Sequence, residues 1–175
     1  YTLCRHLHEA GAKLIVTDIN AEVLEKAKQE FDATVVGLND IYDVDADVYA
    51  PCALGATLNT DTIPRLNVKV VAGAANNQLA AAKDARVLKD VNILYSPDYV
   101  INAAGLINVH YEYQARRNGG GYDLDTVYSH IEKIGETITD IFEKAERQNI
   151  TTADAADKIA EQSFRSKDDV DHEAA

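Results

Sequence analysis

Over the first hundred positions, the apolar residues follow two rhythms in turn. Short β-branched runs predict strands at residues 13–17, 33–36, 47–50, 68–72 and 92–95. Between the first two, Asn20 is placed to cap a helix whose Val23, Leu24, Ala27 and Phe31 keep a 3.6-residue period. Leu3 and Leu7 share one face of an opening helix over residues 1–10, and Gly11 fits its stop, because the residue just past a helix end often needs φ > 0. Strand and helix in alternation predict an α/β fold in which helices cover a parallel sheet.

After Asn108 the strand pattern stops and the chain reads as helical. Across residues 122–148, Val127, Ile131, Ile134, Ile138, Ile141 and Ala145 recur at spacings of four and three, an apolar stripe that should pack against another helix. Residues 116–121, RRNGGG, read as the loop before it, and Thr151 or Thr152 can cap a last helix running to Phe164. Residues 166–175 are polar and acidic and read as a frayed tail. The expected organisation is a partial nucleotide-binding domain over 1–110, a helical segment packed on it over 111–164, and a flexible tail over 165–175.

Composition narrows the function classes. A chain of 175 residues with 46% hydrophobic content can build a full core. Seventeen basic against 29 acidic residues give a net charge of −12, which disfavours nonspecific binding to nucleic acid or anionic membranes. Cys4 and Cys52 lie in different elements, and neither a signal peptide nor a long apolar run is present, so a reducing cytoplasm is the expected setting.

Candidate chemistry sits at strand ends, because open parallel sheets bind ligands beyond the carboxyl ends of their strands. The stretch KLIVTDIN, starting at Lys13, ends its apolar run in a lone carboxylate, Asp18. An acid there is where a dinucleotide-binding βαβ unit holds the adenine ribose, although strand-end aspartates also serve as plain turn formers or caps. The glycine-rich phosphate loop of such a unit lies about 20 residues before the acid. Here that position falls ahead of Tyr1, which predicts that the chain starts inside the domain, without the first strand and the glycine loop. Three further segments follow strands: APCALGATLN from Ala50, AGAANNQL from Ala72 and SPDYVINAAGLINV from Ser96. Their small residues let a ligand approach the backbone closely, and Asn76, Asn77, Asp98, Asn102 and Asn108 add hydrogen-bonding groups. All three should line one edge of the sheet. On sequence context alone Cys52 reads as a small buried thiol, with no basic neighbour to activate it. The histidines, among them the His6 and His8 pair, form no metal-ligand or triad pattern.

Together and at these separations, the four runs resemble the C-terminal NAD-binding domain of the glutamate, leucine, phenylalanine and valine dehydrogenase family, over the chain from Tyr1 to about Phe164. The resemblance implies a Rossmann-like, doubly wound parallel sheet followed by C-terminal helices. It also implies reversible oxidative deamination of an L-amino acid to its 2-oxo acid and ammonia, with a branched-chain substrate favoured and leucine first. Valine, phenylalanine or glutamate is the alternative substrate, and a noncatalytic nucleotide-binding or assembly module is the alternative function. By position, Asp18 would hold the adenine ribose with Ile19 beside the adenine, and the carboxylate would select NAD over NADP. Cys52 and Ala53 would meet the ribose and phosphates, Ala74 and Asn76 the nicotinamide ribose, and Asn102 both nicotinamide and substrate. Leu106 and Val109 would shape the substrate pocket. The family's NAGG is Asn102-Ala103-Ala104-Gly105 here, and Leu106 replaces a commoner valine. The catalytic lysines and aspartate are expected in an N-terminal domain, so this stretch alone should be inactive and should bind NAD weakly. A homo-oligomer is expected.

Overall fold

The computed structural model describes residues 1–173, with side chains described as far as Phe164, so the tail expected over 165–175 lies outside the described side chains. The strands form where the apolar runs predict them but are short: β1 Ile15–Val16, β2 Thr34–Val35, β3 Val48–Tyr49, β4 Val70–Val71 and β5 Leu94–Tyr95. An apolar run records burial, and burial extends past the stretch that meets a partner in ladder geometry; Leu14 and Ala33 are buried beside β1 and β2 without belonging to them. The described residues carry seven α-helices: α1 Thr2–Glu9, α2 Ala21–Phe31, α3 Asp84–Asp90, α4 Asp98–Ile101, α5 Ala104–Asn118, α6 Leu124–Gln148 and α7 Thr152–Glu173. None of them is long and apolar enough to cross a membrane.

The chain forms two compact units. The first holds Tyr1–Asp45 with Arg65–Asn67. In it β1 and β2 pair in parallel, Ile15 with Thr34 and Val16 with Val35. Leu14, Ala27, Phe31 and Ala33 form its core, with Cys4 and Val16 packed against them. The Asn20 side chain caps α2 by accepting from the backbone N–H groups of Glu22 (3.0 Å) and Val23 (3.3 Å). Gly11 ends the C-terminus of α1 at φ +84°, where its N–H donates to the His8 carbonyl and that of Ala12 donates to Leu7, a Schellman arrangement. Arg65 grips both carboxylate oxygens of Asp43, at 2.9 and 2.8 Å, and donates to the Asn39 carbonyl at 2.6 Å. Its hydrogen bond holds the Asp43 carboxyl below the usual aspartate range.

The second unit holds Ala46–Pro64 and the chain from Val68 onward. Its sheet runs β3-β4-β5, every pair parallel, with Val70 between Val48 and Leu94 and Val71 between Tyr49 and Tyr95. Val71, Leu58, Ile63, Leu88, Ile93 and Tyr95 are buried. On the helical side, α6 packs against α4, α5 and α7, as its apolar stripe predicts. Ile141, Ala145, Ala155 and Ala156 form the core there, with Val100, Phe142, Ile150 and Ile159 around them. Along the stripe Val127, Ile141 and Ala145 are buried, while Ile131, Ile134 and Ile138 are only half-buried.

Three boundaries differ from the sequence reading. Arg116 and Arg117, expected in a loop, form the last turn of α5, because the stop is set by Gly119 in the left-handed region at φ +64°. The helix after that loop starts at Leu124 rather than at 122, because Asp123 caps it and takes the Asp125 N–H at 3.2 Å. Of the two threonines offered as caps for α7, Thr151 is the one that serves: its hydroxyl accepts from the Asp154 N–H at 3.0 Å, while the Asp154 carboxylate takes the Thr151 N–H at 3.4 Å. The last helix also runs past Phe164 to Glu173.

Candidate functional site

In the second unit the three parallel strands end at the same edge, so the segments after β3, β4 and β5 emerge side by side. The first two hold each other directly. Pro51 accepts from the Ala75 N–H at 2.9 Å, Asn77 from Ala56 at 2.7 Å and Gln78 from Leu58 at 3.0 Å, and Leu58 accepts from Ala80 at 2.9 Å. Both glycines in this ladder are packed against backbone. A Cβ on Gly73 would lie 2.2 Å from the Pro51 carbonyl oxygen, and one on Gly55 would lie 2.9 Å from the carbonyl oxygens of both Asn76 and Asn77. The close approach expected for a ligand at Gly73 is taken instead by the neighbouring segment. Gln78 is fully buried and braces its own loop, donating to the carbonyls of Gly73 (2.7 Å) and Ala75 (3.0 Å). Nothing in its pattern marked it beyond a lone amide after the asparagine pair.

The third segment is helical, not a loop: α4 starts one residue after Pro97, and Asn102 is its C-cap. From there the Asn102 amide nitrogen donates to the Asn76 side-chain oxygen at 2.6 Å. Two residues singled out on different segments are therefore joined, and among the described residues no partner is found for the other half of either amide, the Asn76 nitrogen, a donor, and the Asn102 oxygen, an acceptor. Asn77 is a turn residue with φ +53°. Its N–H donates to the Asp98 carboxylate at 2.6 Å, and the other Asp98 oxygen accepts from the Tyr95 hydroxyl at 2.8 Å. Burial, together with the hydrogen bond to Asp98, raises the Tyr95 phenol far above the ordinary tyrosine range, so the hydroxyl stays a donor. Asn108 is occupied elsewhere, donating to Glu112 at 3.0 Å and accepting from Tyr122.

Around the amide pair the surface is small and open. Ala53, Ala74 and Asn76 are exposed, and so is Cys52, which corrects the expectation of a buried thiol. The strand end after β3 turns outward before the chain re-enters the core at Leu58, which is fully buried. Leu106 and Val109 stand at i and i+3 on α5, 75% and 59% exposed, so apolar surface lies uncovered on the helix that follows Asn102. In the first unit Asp18 and Ile19 are both exposed, Ile19 at 88%. One Asp18 oxygen accepts from the Asn20 N–H at 2.9 Å, the turn-forming role, and among the described residues the other has no hydrogen bond.

Comparison with known proteins gives this arrangement its family. The profile of the Glutamate/Leucine/Phenylalanine/Valine dehydrogenases matches residues 5–167. The chain belongs to that family. Leucine dehydrogenase of Geobacillus stearothermophilus is 50% identical over 162 residues, covering 93% of this chain and 42% of the relative. L-tryptophan dehydrogenase of Nostoc punctiforme is 48% identical over 160 residues, covering 91% of this chain and 44% of the relative. The crystal structure of the Nostoc punctiforme enzyme superposes with a TM-score of 0.89 at 46% identity, over 94% of this chain and 48% of that one. The chain thus spans less than half the length of these relatives. Its similarity to the amino-acid dehydrogenases takes in all four strand-end segments.

Proposed function

We propose that this chain is the cofactor-binding part of an NAD-dependent amino-acid dehydrogenase. The reaction interconverts a branched-chain L-amino acid, leucine before others, with its 2-oxo acid and ammonia. The reading carries with it the doubly wound, Rossmann-like order expected from the strand and helix rhythm, a cytoplasmic setting and a homo-oligomer. The observation that carries it is the Asn76–Asn102 amide pair at the carboxyl edge of a parallel sheet, with exposed Leu106 and Val109 on the following helix. That donor set fits the cofactor: among the described residues the edge offers one unpaired amide donor and one unpaired amide acceptor beside small, exposed residues, the chemistry that orients a carboxamide and a ribose.

When bound, NAD supplies the acceptor for the hydride leaving the amino acid's α-carbon. The protein's part is positional. Asp18 accepts from the adenine ribose hydroxyls beside Ile19. Cys52 and Ala53 would allow close approach to the ribose and phosphates, Ala74 and Asn76 would border the nicotinamide ribose, and Asn102 would fix both nicotinamide and substrate. Leu106 and Val109 give an aliphatic side chain its apolar wall. No proton-moving role is assigned to these residues. A second reading, an aromatic substrate, draws support from the L-tryptophan dehydrogenase, whose identity to this chain is within two points of that of the leucine enzyme. One methylene in a pocket changes discrimination by only ~1–3 kcal/mol, so Leu106 alone does not separate the two.

The test is cofactor choice. In the full-length protein NAD should be preferred to NADP, because the Asp18 carboxylate repels the extra phosphate of NADP. Asp18→Asn keeps an acceptor for the Asn20 N–H but loses the charge. It should weaken NAD binding by about tenfold to a hundredfold, the equivalent of the ~1.5–3 kcal/mol of a charged hydrogen bond. An unchanged cofactor preference in Asp18→Asn would remove Asp18 from the site.

A further inference from the structure

The amide pair is held by a neighbour with no place in the proposed reaction. Asp98 is 9% exposed and bonded on both sides. Its carboxylate takes the Asn77 N–H at 2.6 Å, and its own backbone carbonyl takes the Asn102 N–H at 3.1 Å. Asn76 and Asn102 then meet through their side chains at 2.6 Å, closing a ring that runs from Asp98 to Asn77 and Asn76, across to Asn102 and back to Asp98.

We infer that Asp98 is the positioning residue of this site, acting through the Asn76–Asn77 peptide to set the angle at which the Asn76 and Asn102 amides are presented. The inference rests on the dehydrogenase reading of those amides. Its physical basis is local. Asn77 holds φ +53°, a left-handed conformation that asparagine adopts more readily than other side-chain-bearing residues and that its hydrogen-bond partners hold in one orientation here. Two bonds fix it: Asp98 takes its N–H, and the Ala56 N–H donates to its carbonyl at 2.7 Å. Removing the first frees the peptide plane next to Asn76 to rotate, and the Asn76 side chain swings with it.

Asp98 is itself anchored. The Tyr95 hydroxyl donates to it at 2.8 Å, and the Asp98 N–H closes back on that hydroxyl at 3.2 Å. The Tyr95 carbonyl accepts from the Thr152 hydroxyl at 2.7 Å, so the start of α7 braces the same strand end. The carboxylate thus has a fixed position from which to hold a mobile-prone turn.

Two variants of the full-length protein test this: Asp98→Ala removes the clamp, and Asp98→Asn keeps one oxygen for the Asn77 N–H and an amide to donate to Tyr95. Two readouts are needed. Hydrogen exchange over residues 73–79 reads the clamp whatever the ligand, and steady-state kinetics with NAD and leucine read its consequence. The expected result for Asp98→Ala is faster exchange at Asn77 and a kcat lowered tenfold or more, with a smaller change in the KM for leucine at a temperature where the variant is folded. Asp98→Asn should restore both most of the way. If Asp98→Ala exchanges and turns over like the parent, the inference is overturned. It is also overturned if kcat falls equally in both variants, since the asparagine retains the bond. If the parent protein shows no NAD-dependent activity, the dehydrogenase reading fails, and normal exchange at Asn77 in Asp98→Ala would then overturn the clamp separately.

Discussion

Gly73 illustrates how much of this site is decided by single residues. A methyl group there would meet the Pro51 carbonyl oxygen at 2.2 Å and the Pro51 nitrogen at 2.5 Å, both backbone atoms of the adjacent segment that cannot turn aside. Gly73→Ala is therefore expected to destabilise by about 1–3 kcal/mol or more, the range for overpacking, read as a lower denaturation midpoint. Gly135 is the contrast: it is exposed within α6 with nothing in reach of an added methyl, so Gly135→Ala should stabilise by roughly 0.5–1 kcal/mol in the same measurement. Sequence identified Gly73 as a point of close approach but not what approaches, because the partner is Pro51, on a segment brought alongside only by strand pairing. Asp98 and Asn102 were equally visible as polar residues in a small, apolar run. That one is a buried clamp and the other an open amide depends on Tyr95 and Asn77, neither of which advertises its partner in the sequence.

At the scale of elements, the periodic signals were the ones that read through. Asn20 caps α2, Gly11 ends α1 with positive φ, and the stripe on α6 packs as a helix–helix face should, because each depends on residues within a few positions of one another. Strand lengths read less well, since pairing depends on a partner from far along the chain. The stripe also has a gradient that the heptad spacing does not carry: its middle is half-buried and its C-terminal end is sealed by α7. Ile141, at 1% exposure among Ala145, Ala155 and Ala156, is the side chain that fills the seal. Ile141→Ala is expected to cost ~2–5 kcal/mol of stability by chemical denaturation, since flanking alanines are too small to close the gap. Ile131→Ala, at a half-buried position, should cost clearly less.

Taken whole, the molecule is an α/β member of an amino-acid dehydrogenase family, spanning less than half the length of the relatives it matches. Its family was legible from four strand-end runs, while a substrate preference was not, because discrimination in an apolar pocket can rest on a difference as small as one methylene. The measurement that bears most directly on the account is the steady-state kcat/KM of the full-length protein with NAD across leucine, valine, phenylalanine, tryptophan and glutamate. NAD-dependent oxidation is expected, with leucine leading and glutamate far behind. A preference for glutamate, or no NAD-dependent oxidation of any of the five, would contradict it.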